Sequence, residues 1–194
     1  MKNLKPLNPY SLEPTGEYPI LEYAQIRAKV DAARRAQAVW RRIDPGQRVE
    51  YLRAGLQYFG ANRASIAKDI TVQMGKPVWQ SENELKGFFE RAEWMLGAAE
   101  GVLAPDLLPE KPGFIRRIEH VPLGVVLIIA PWNYPLLTAV NGVAAALLSG
   151  NAVLLKHSSL TPAVGEHFAR AFGRTGQVED LLQSLVAGHA DIEQ

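Results

Sequence analysis

From residue 121 to residue 155 the chain carries no Asp, Glu, Lys or Arg. An uncharged run of that length has two solutions, a membrane or a buried core. Pro131, Asn133, Pro135, Asn141 and the pair Gly150-Asn151 interrupt it, and the pieces between them are too short to span about 30 Å of hydrocarbon. The run is therefore expected to form the core of a folded domain. Its first piece, 125–129, is a continuous aliphatic stretch rich in β-branched residues, the pattern of a strand buried on both faces of a parallel sheet. Pro131-Trp132-Asn133-Tyr134-Pro135 breaks that strand. Pro135 suits the first turn of a helix, where its missing N–H costs nothing. Leu136, Leu137, Val140, Val143, Ala144, Leu147 and Leu148 make the helix apolar around most of its circumference. Gly150 stops it, and Asn151 turns the chain into a second aliphatic strand over 152–155. That strand delivers Lys156, His157, Ser158 and Ser159 to the carboxyl edge, where open α/β sheets bind ligands. The whole reads as a nucleotide-binding βαβ unit.

Two short motifs, Pro131-Trp132-Asn133 and Gly150-Asn151 followed by a strand and Lys156, carry a resemblance. Their order and spacing resemble the N-terminal half of the cofactor domain in the NAD(P)-dependent aldehyde dehydrogenase superfamily. The resemblance implies that Asn133 is catalytic, its side-chain amide donating to the oxyanion formed when an aldehyde is attacked. Lys156 would contact the adenosine ribose of NAD or NADP, and Ile129, Ala130, Pro131 and Trp132 would line the cofactor cleft through backbone and ring contacts. His157-Ser158-Ser159 replaces the family's common Pro-Ser-Glu, so Ser159 stands where a ribose-binding Glu is usual. The Lys-His pair is similar to relatives resembling succinate semialdehyde dehydrogenases. Gly188, at the carboxyl end of a later strand, completes the implied cofactor-binding set. Read alone, Asn133 is a turn former and Lys156 a lysine at a strand end; placed on adjacent βα units they would face one crevice.

The rest of the chain divides around this unit. Residues 1–19 carry prolines where a signal peptide needs an apolar run, so an extended arm and a cytoplasmic location are expected. Residues 20–103 are helical by pattern. Tyr23, Ile26, Val30, Ala33 and Trp40 mark a stripe on the first helix, over 21–43. Asp44-Pro45-Gly46-Gln47 is a start signal, with Gln47 placed to complete a capping box. Val49, Leu52, Leu56 and Phe59 follow, ended by Gly60. Asn62 is expected to cap a third helix through Ile66, Ile70 and Met74 to Gly75. Pro77 opens a fourth carrying Leu85, Phe88, Phe89, Ala92, Met95, Leu96 and Ala99. Residues 103–112 read as a linker and 114–121 as a strand guarded by Arg116 and Arg117. The region 104–123 matches the family's oligomerisation-type sheet. After Ser159, Thr161-Pro162 opens a helix with Val164, Phe168, Ala169 and Phe172 on one face. A strand over 181–186 follows, and 189–194 begin another helix. The expected fold class is α/β: N-terminal helices, then part of a Rossmann-like parallel sheet, βαβαβ, over 124–194.

Composition excludes several partners. The formal net charge is +1, from 21 basic and 20 acidic residues. Lys and Arg are spread rather than clustered, which gives no footprint for nucleic acid or an anionic membrane. His120, His157, His167 and His189 show no i, i+4 pair and no neighbouring cysteine, so no metal site is expected. Glu82, Glu84 and Glu90 read as a solvated helix face. Glu166 and His167 near Ser158 lack the G-x-S-x-G elbow of a hydrolase, and no G-x-G-x-x-G is present. The sequence contains no cysteine, whereas the resemblance implies a cysteine nucleophile. The expectation is the N-terminal portion of an NAD(P)-dependent oxidoreductase acting on aldehydes. These residues alone would be inactive and would bind NAD(P) weakly or not at all, and their partners would be further copies or a C-terminal portion. The alternative is a non-catalytic interaction module.

Overall fold

The computed structural model describes residues 2–176 and 178–188. The arm closes on itself through a short antiparallel pair, β1 (Asn3–Leu4) with β2 (Tyr18–Pro19), and Gln73 donates to the Tyr18 hydroxyl at 3.0 Å to tie it down. Four helices follow: α1 (Tyr23–Trp40), α2 (Pro45–Ala61), α3 (Arg63–Met74) and α4 (Val78–Leu103). Asp44 caps α2 by accepting the N–H of Gly46 at 2.8 Å, with Pro45 in the first helical position. Asn62 does not cap α3 as expected. Its backbone (φ −106°, ψ 17°) is not the extended cap conformation, and its amide reaches back to the Tyr58 carbonyl at 2.8 Å, closing α2.

Residues 103–112 are more than a linker. They hold β3 (Asp106–Leu107), which pairs antiparallel with β4 (Arg117–Ile118), and the strand expected over 114–121 shrinks to that two-residue segment. The parallel sheet comes next: β5 (Val125–Ala130), α5 (Pro135–Leu148), β6 (Ala152–His157) and α6 (Pro162–Phe172). A two-residue hairpin, β7 (Arg174–Thr175) with β8 (Val178–Glu179), leads into β9 (Leu182–Leu185). The order is β5-β6-β9, all parallel. The helix expected over 189–194 lies outside the described residues.

Two features of the sheet differ from the sequence pattern. Among the described residues β5 is an edge strand paired with β6, and on the face opposite α5 its Leu127 and Ile129 are 45% and 62% exposed rather than buried. β6 is the central strand, buried along its whole length, and it runs on through Lys156 and His157 instead of ending before them. Helices α5 and α6 pack the sheet while α1 crosses β5, β6 and β9. A rosette of Phe59, Phe88, Phe168 and Phe172 joins α2, α4 and α6, with the Phe59 and Phe88 rings 4.5 Å apart. Aromatic contacts of this kind favour tilted and edge geometries.

The carboxyl end of α5 is closed by side chains from far upstream. Trp40 Nε1 donates to the Leu147 carbonyl at 2.8 Å, Arg48 Nη1 to Leu148 at 2.9 Å, and Gln37 Nε2 to Gly150 at 3.2 Å. Gly150 sits at φ +86°, and a Cβ there would meet the Arg48 guanidinium at 3.0 Å. No helix among the described residues is long and apolar enough to cross a membrane.

Gly55, inside α2, gives the first test. A Cβ on it would come within 2.9 Å of the Ala171 carbonyl and would overlap the Phe172 ring. Gly55→Ala should therefore destabilise the fold by about 1–3 kcal/mol despite the better helix propensity of Ala. Urea unfolding measures this; an unchanged or raised midpoint would mean that α2 and α6 do not pack as closely as described.

Candidate functional site

Strand register decides which side chains share a face, because they alternate along a strand. Ile129 is paired with Lys156 and Ala130 with His157. Ile129 and Lys156 therefore lie side by side on one face at the carboxyl end. Ala130 and His157 lie on the other face and are buried, so Ala130 offers a ligand only its backbone. Ile128, in register with Leu155, lies against α5 at Gly142, which identifies this second face as the one that α5 covers.

Lys156 is 7% exposed and makes no side-chain hydrogen bond or ion pair among the described residues. Lys156, Ser159, Leu185 and Ala187 line one narrow cleft at the carboxyl edge, flanked by Leu4 of the arm. Ser159 is exposed, and Gly188 follows β9 as the last described residue. Pro131, Trp132 and Asn133 form the exposed turn between β5 and α5, and the Asn133 amide has no side-chain partner among the described residues.

What holds this turn is the main departure from the sequence reading. Glu84, expected on a solvated face, is 3% exposed and sits under the amino end of α5. Its Oε1 accepts the N–H of Leu136 at 2.7 Å and of Leu137 at 3.2 Å, and its Oε2 pairs with Lys76 Nζ. The Lys76 ammonium also lies 5.2 Å from the centroid of the Tyr134 ring. Tyr134, at the cap position of α5, provides no side-chain cap itself. A readable sign existed: Glu84 is four residues before Phe88 on the apolar stripe of α4, so the helical period alone turns it toward the core. Gln37 and Arg48 carried the same sign, four residues from Ala33 and Leu52 on their stripes, and Trp40 lay on its stripe outright, whereas Lys76 carried none.

His157 secures the same turn from the sheet side. Its Nε2 lies 3.0 Å from the Pro135 carbonyl, while Nδ1 accepts the N–H of Ser158 at 3.0 Å and lies 3.1 Å from Thr161 Oγ1. That geometry requires the neutral ring with its proton on Nε2. Burial pushes the His157 pKa down to about 4; the Pro135 carbonyl opposes this and the Lys156 charge adds a smaller push in the same direction. His167 belongs to a different set. It bridges Tyr58 on α2 at 2.8 Å and Asp69 on α3 at 2.9 Å, not Glu166 or Ser158.

The depressed His157 pKa sets a sign for pH dependence. Below about 6.5 the unfolded chain takes up a proton that the folded chain refuses until about pH 4, so stability falls as pH drops across that window and levels off below it. The loss is about 3 kcal/mol. His157→Leu should remove that slope between pH 4 and 6.5. Denaturant midpoints measured across the window check this, and an equally steep slope in the variant would assign it to other groups.

Comparison with known proteins bears on the family and the fold. The aldehyde dehydrogenase family model matches residues 2–194. The chain is 32% identical over 188 residues to a succinate-semialdehyde dehydrogenase [NADP(+)] of Deinococcus radiodurans, covering 97% of this chain and 39% of that protein. It is 30% identical to a non-phosphorylating aspartate-semialdehyde dehydrogenase of Halomonas elongata, covering 96% of this chain and 38% of the relative. The fold superposes on a crystal structure of an aldehyde dehydrogenase from Brucella melitensis biovar abortus with a TM-score of 0.88 at 26% identity, over 98% of this chain and 40% of the other. The chain thus spans about two fifths of the length of these relatives. With the Pro-Trp-Asn turn, the parallel sheet and a match running almost from end to end, this chain belongs to the aldehyde dehydrogenase family.

Proposed function

We propose that these residues form the oxyanion and adenosine side of an NAD(P)-dependent aldehyde-oxidising site. The observation that carries the reading is a pair of polar side chains, Asn133 and Lys156, that have no hydrogen-bond or ion-pair partner among the described residues and lie at the carboxyl ends of adjacent parallel strands. Asn133 Nδ2 is free to donate to an aldehyde oxygen as that oxygen gains charge, a contribution of about a hundred- to a thousandfold in rate in other enzymes. Lys156, in register with Ile129 and lining one cleft with Ser159, would donate to ribose hydroxyls. These residues fit the adenosine end of the cofactor. The amino end of α5, where many dinucleotide folds seat a pyrophosphate, does not, because Glu84 already occupies it. NAD(P), when bound, supplies the hydride acceptor. Ile129, Ala130, Pro131 and Trp132 on the β5 side of Lys156, and Gly188 after β9 on its other side, would bound the cleft.

The sequence supplies no thiol, so the covalent step needs a cysteine from other polypeptide. The purified 194 residues should give no NAD(P)H with any aldehyde and bind NAD(P) weakly. Adding polypeptide that carries the remaining part of the family fold, with its cysteine and general base, should restore turnover. In that complex Asn133→Ala should lower kcat by roughly a hundredfold while changing KM less. Turnover by the 194 residues alone, abolished by Asn133→Ala, would overturn the reading.

Cofactor choice follows from Ser159. A hydroxyl there can donate to a 2′-phosphate that a carboxylate would repel, and the Deinococcus relative is named for NADP(+). The active complex should accept both cofactors, with kcat/KM values within about a hundredfold of each other. A larger preference for NAD, measured side by side, would contradict this role for Ser159.

A second reading is favoured by the β3–β4 hairpin and the segment after it, where Leu107, Ile115 and Val121 are 82%, 94% and 70% exposed. Such a surface suits association through residues 104–123, with further copies of the chain or with an aldehyde dehydrogenase subunit. On that reading the chain is an interaction module rather than part of a catalyst.

A further inference from the structure

Each residue from Tyr134 to Leu137 is held by a side chain from another element. The Tyr134 ring lies under the Lys76 ammonium, the Pro135 carbonyl meets His157 Nε2, and the N–H groups of Leu136 and Leu137 end on Glu84. Asn133, next in the chain, has no such tie on its side chain. Its orientation is set by the backbone alone.

The way this turn is held is costly. Lys76 and Glu84 are 7% and 3% exposed, and removing two charges from water is repaid only by good geometry and further hydrogen bonds. A Ser, Thr, Asp or Asn at position 134 would cap α5 without any buried charge. A local cap would hold the helix but not the ring and the carbonyl on either side of it. We infer that Glu84, with Lys76 and His157, is a positioning residue for the Asn133 amide, holding the turn in the one orientation that aims this donor out of the carboxyl edge. The inference rests on the reading of Asn133 as the oxyanion donor, and a donor displaced by about 1 Å loses on the order of a hundredfold in rate.

A merely structural cap predicts something different. It would stabilise the whole domain evenly, whereas a positioning device holds the turn more than the sheet. The test is NMR of the whole 194-residue chain, reading backbone hydrogen exchange together with the relaxation of the Asn133 side-chain NH2. Glu84→Gln keeps an acceptor oxygen and the shape but drops the charge that strengthens both bonds. It should speed exchange at Leu136 and Leu137 by about tenfold or more. The Asn133 NH2 should become more mobile, while the Val153, Leu154 and Leu155 amides change by less than about threefold. Asn133→Ala should leave Leu136 and Leu137 protected, since the control runs from Glu84 to Asn133.

Equal acceleration in β6 and in the turn, or an Asn133 side chain no more mobile in the variant, overturns the inference. If Glu84→Gln does not fold, His157→Leu carries the test from the opposite side, and an unaltered Asn133 side chain there overturns it equally. These outcomes do not depend on catalysis. A turn loosened as expected, together with full activity of Asn133→Ala in the reconstituted complex, would reject the oxyanion role of Asn133 and leave its positioning by Glu84 standing.

Discussion

Helix α5 cannot satisfy its own ends. It is apolar on nearly every side and buried along most of its length, yet a helix leaves N–H groups at its start and carbonyls at its finish that must find partners. Tyr134 before it provides no cap, and Ser149, Gly150 and Asn151 after it reach the carbonyls of Ala145, Ala146 and Leu147 but leave Leu148. The remaining partners come from elsewhere: Glu84 of α4 at the amino end, and Trp40 and Gln37 of α1 with Arg48 of α2 at the carboxyl end. The helical region and the sheet are for this reason one body. The sheet cannot form its first βαβ unit with satisfied hydrogen bonds until α1, α2 and α4 are packed against it.

The same arrangement sets the electrostatics of the site. In nucleotide-binding folds with a glycine-rich first turn, the helix amino end is left open for phosphate, because its N–H groups and dipole attract an anion. Here a carboxylate is already seated there, with Lys76 beside it. An incoming phosphate would meet a like charge, and the N–H groups of Leu136 and Leu137 are spent. The free cation of the region lies instead at Lys156, on the face that register shares with Ile129. The missing glycine motif and the buried Glu84 thus describe one solution, in which the first βα turn presents an asparagine amide rather than a phosphate cradle.

The edges of the structure are as informative as its core. β5 pairs on one side only and leaves Leu127 and Ile129 largely exposed, and the β3–β4 hairpin presents aliphatic side chains to solvent. Unpaired strand edges and contiguous apolar surface are features that folded chains usually cover. β5 leads directly into the turn that carries Asn133, so its exposed side chains and that turn are continuous along one strand.

The sequence by itself determined the elements, because their information is local. The proline and glycine positions bounded α5 at both ends, the aliphatic runs located β5 and β6, and the apolar stripes located α1 to α4. It also singled out Asn133 and Lys156, since two motifs in fixed order need no contact map. Only the tertiary structure decided what those residues face and what holds them. Glu84 looked solvated because neighbouring charges masked its place on the core stripe, and its partners at 136 and 137 are far away in sequence. His157 and Lys156 looked like the end of a strand because aliphatic content stops at Leu155, while strand pairing follows backbone register and continues through both. The exposure of β5 on one face depends on which elements pack over that face, a property of the tertiary arrangement that no window of sequence contains. Hydrophobic periodicity is written within each element; the satisfaction of buried polar groups is written between elements, and it is this second kind of information that builds the site.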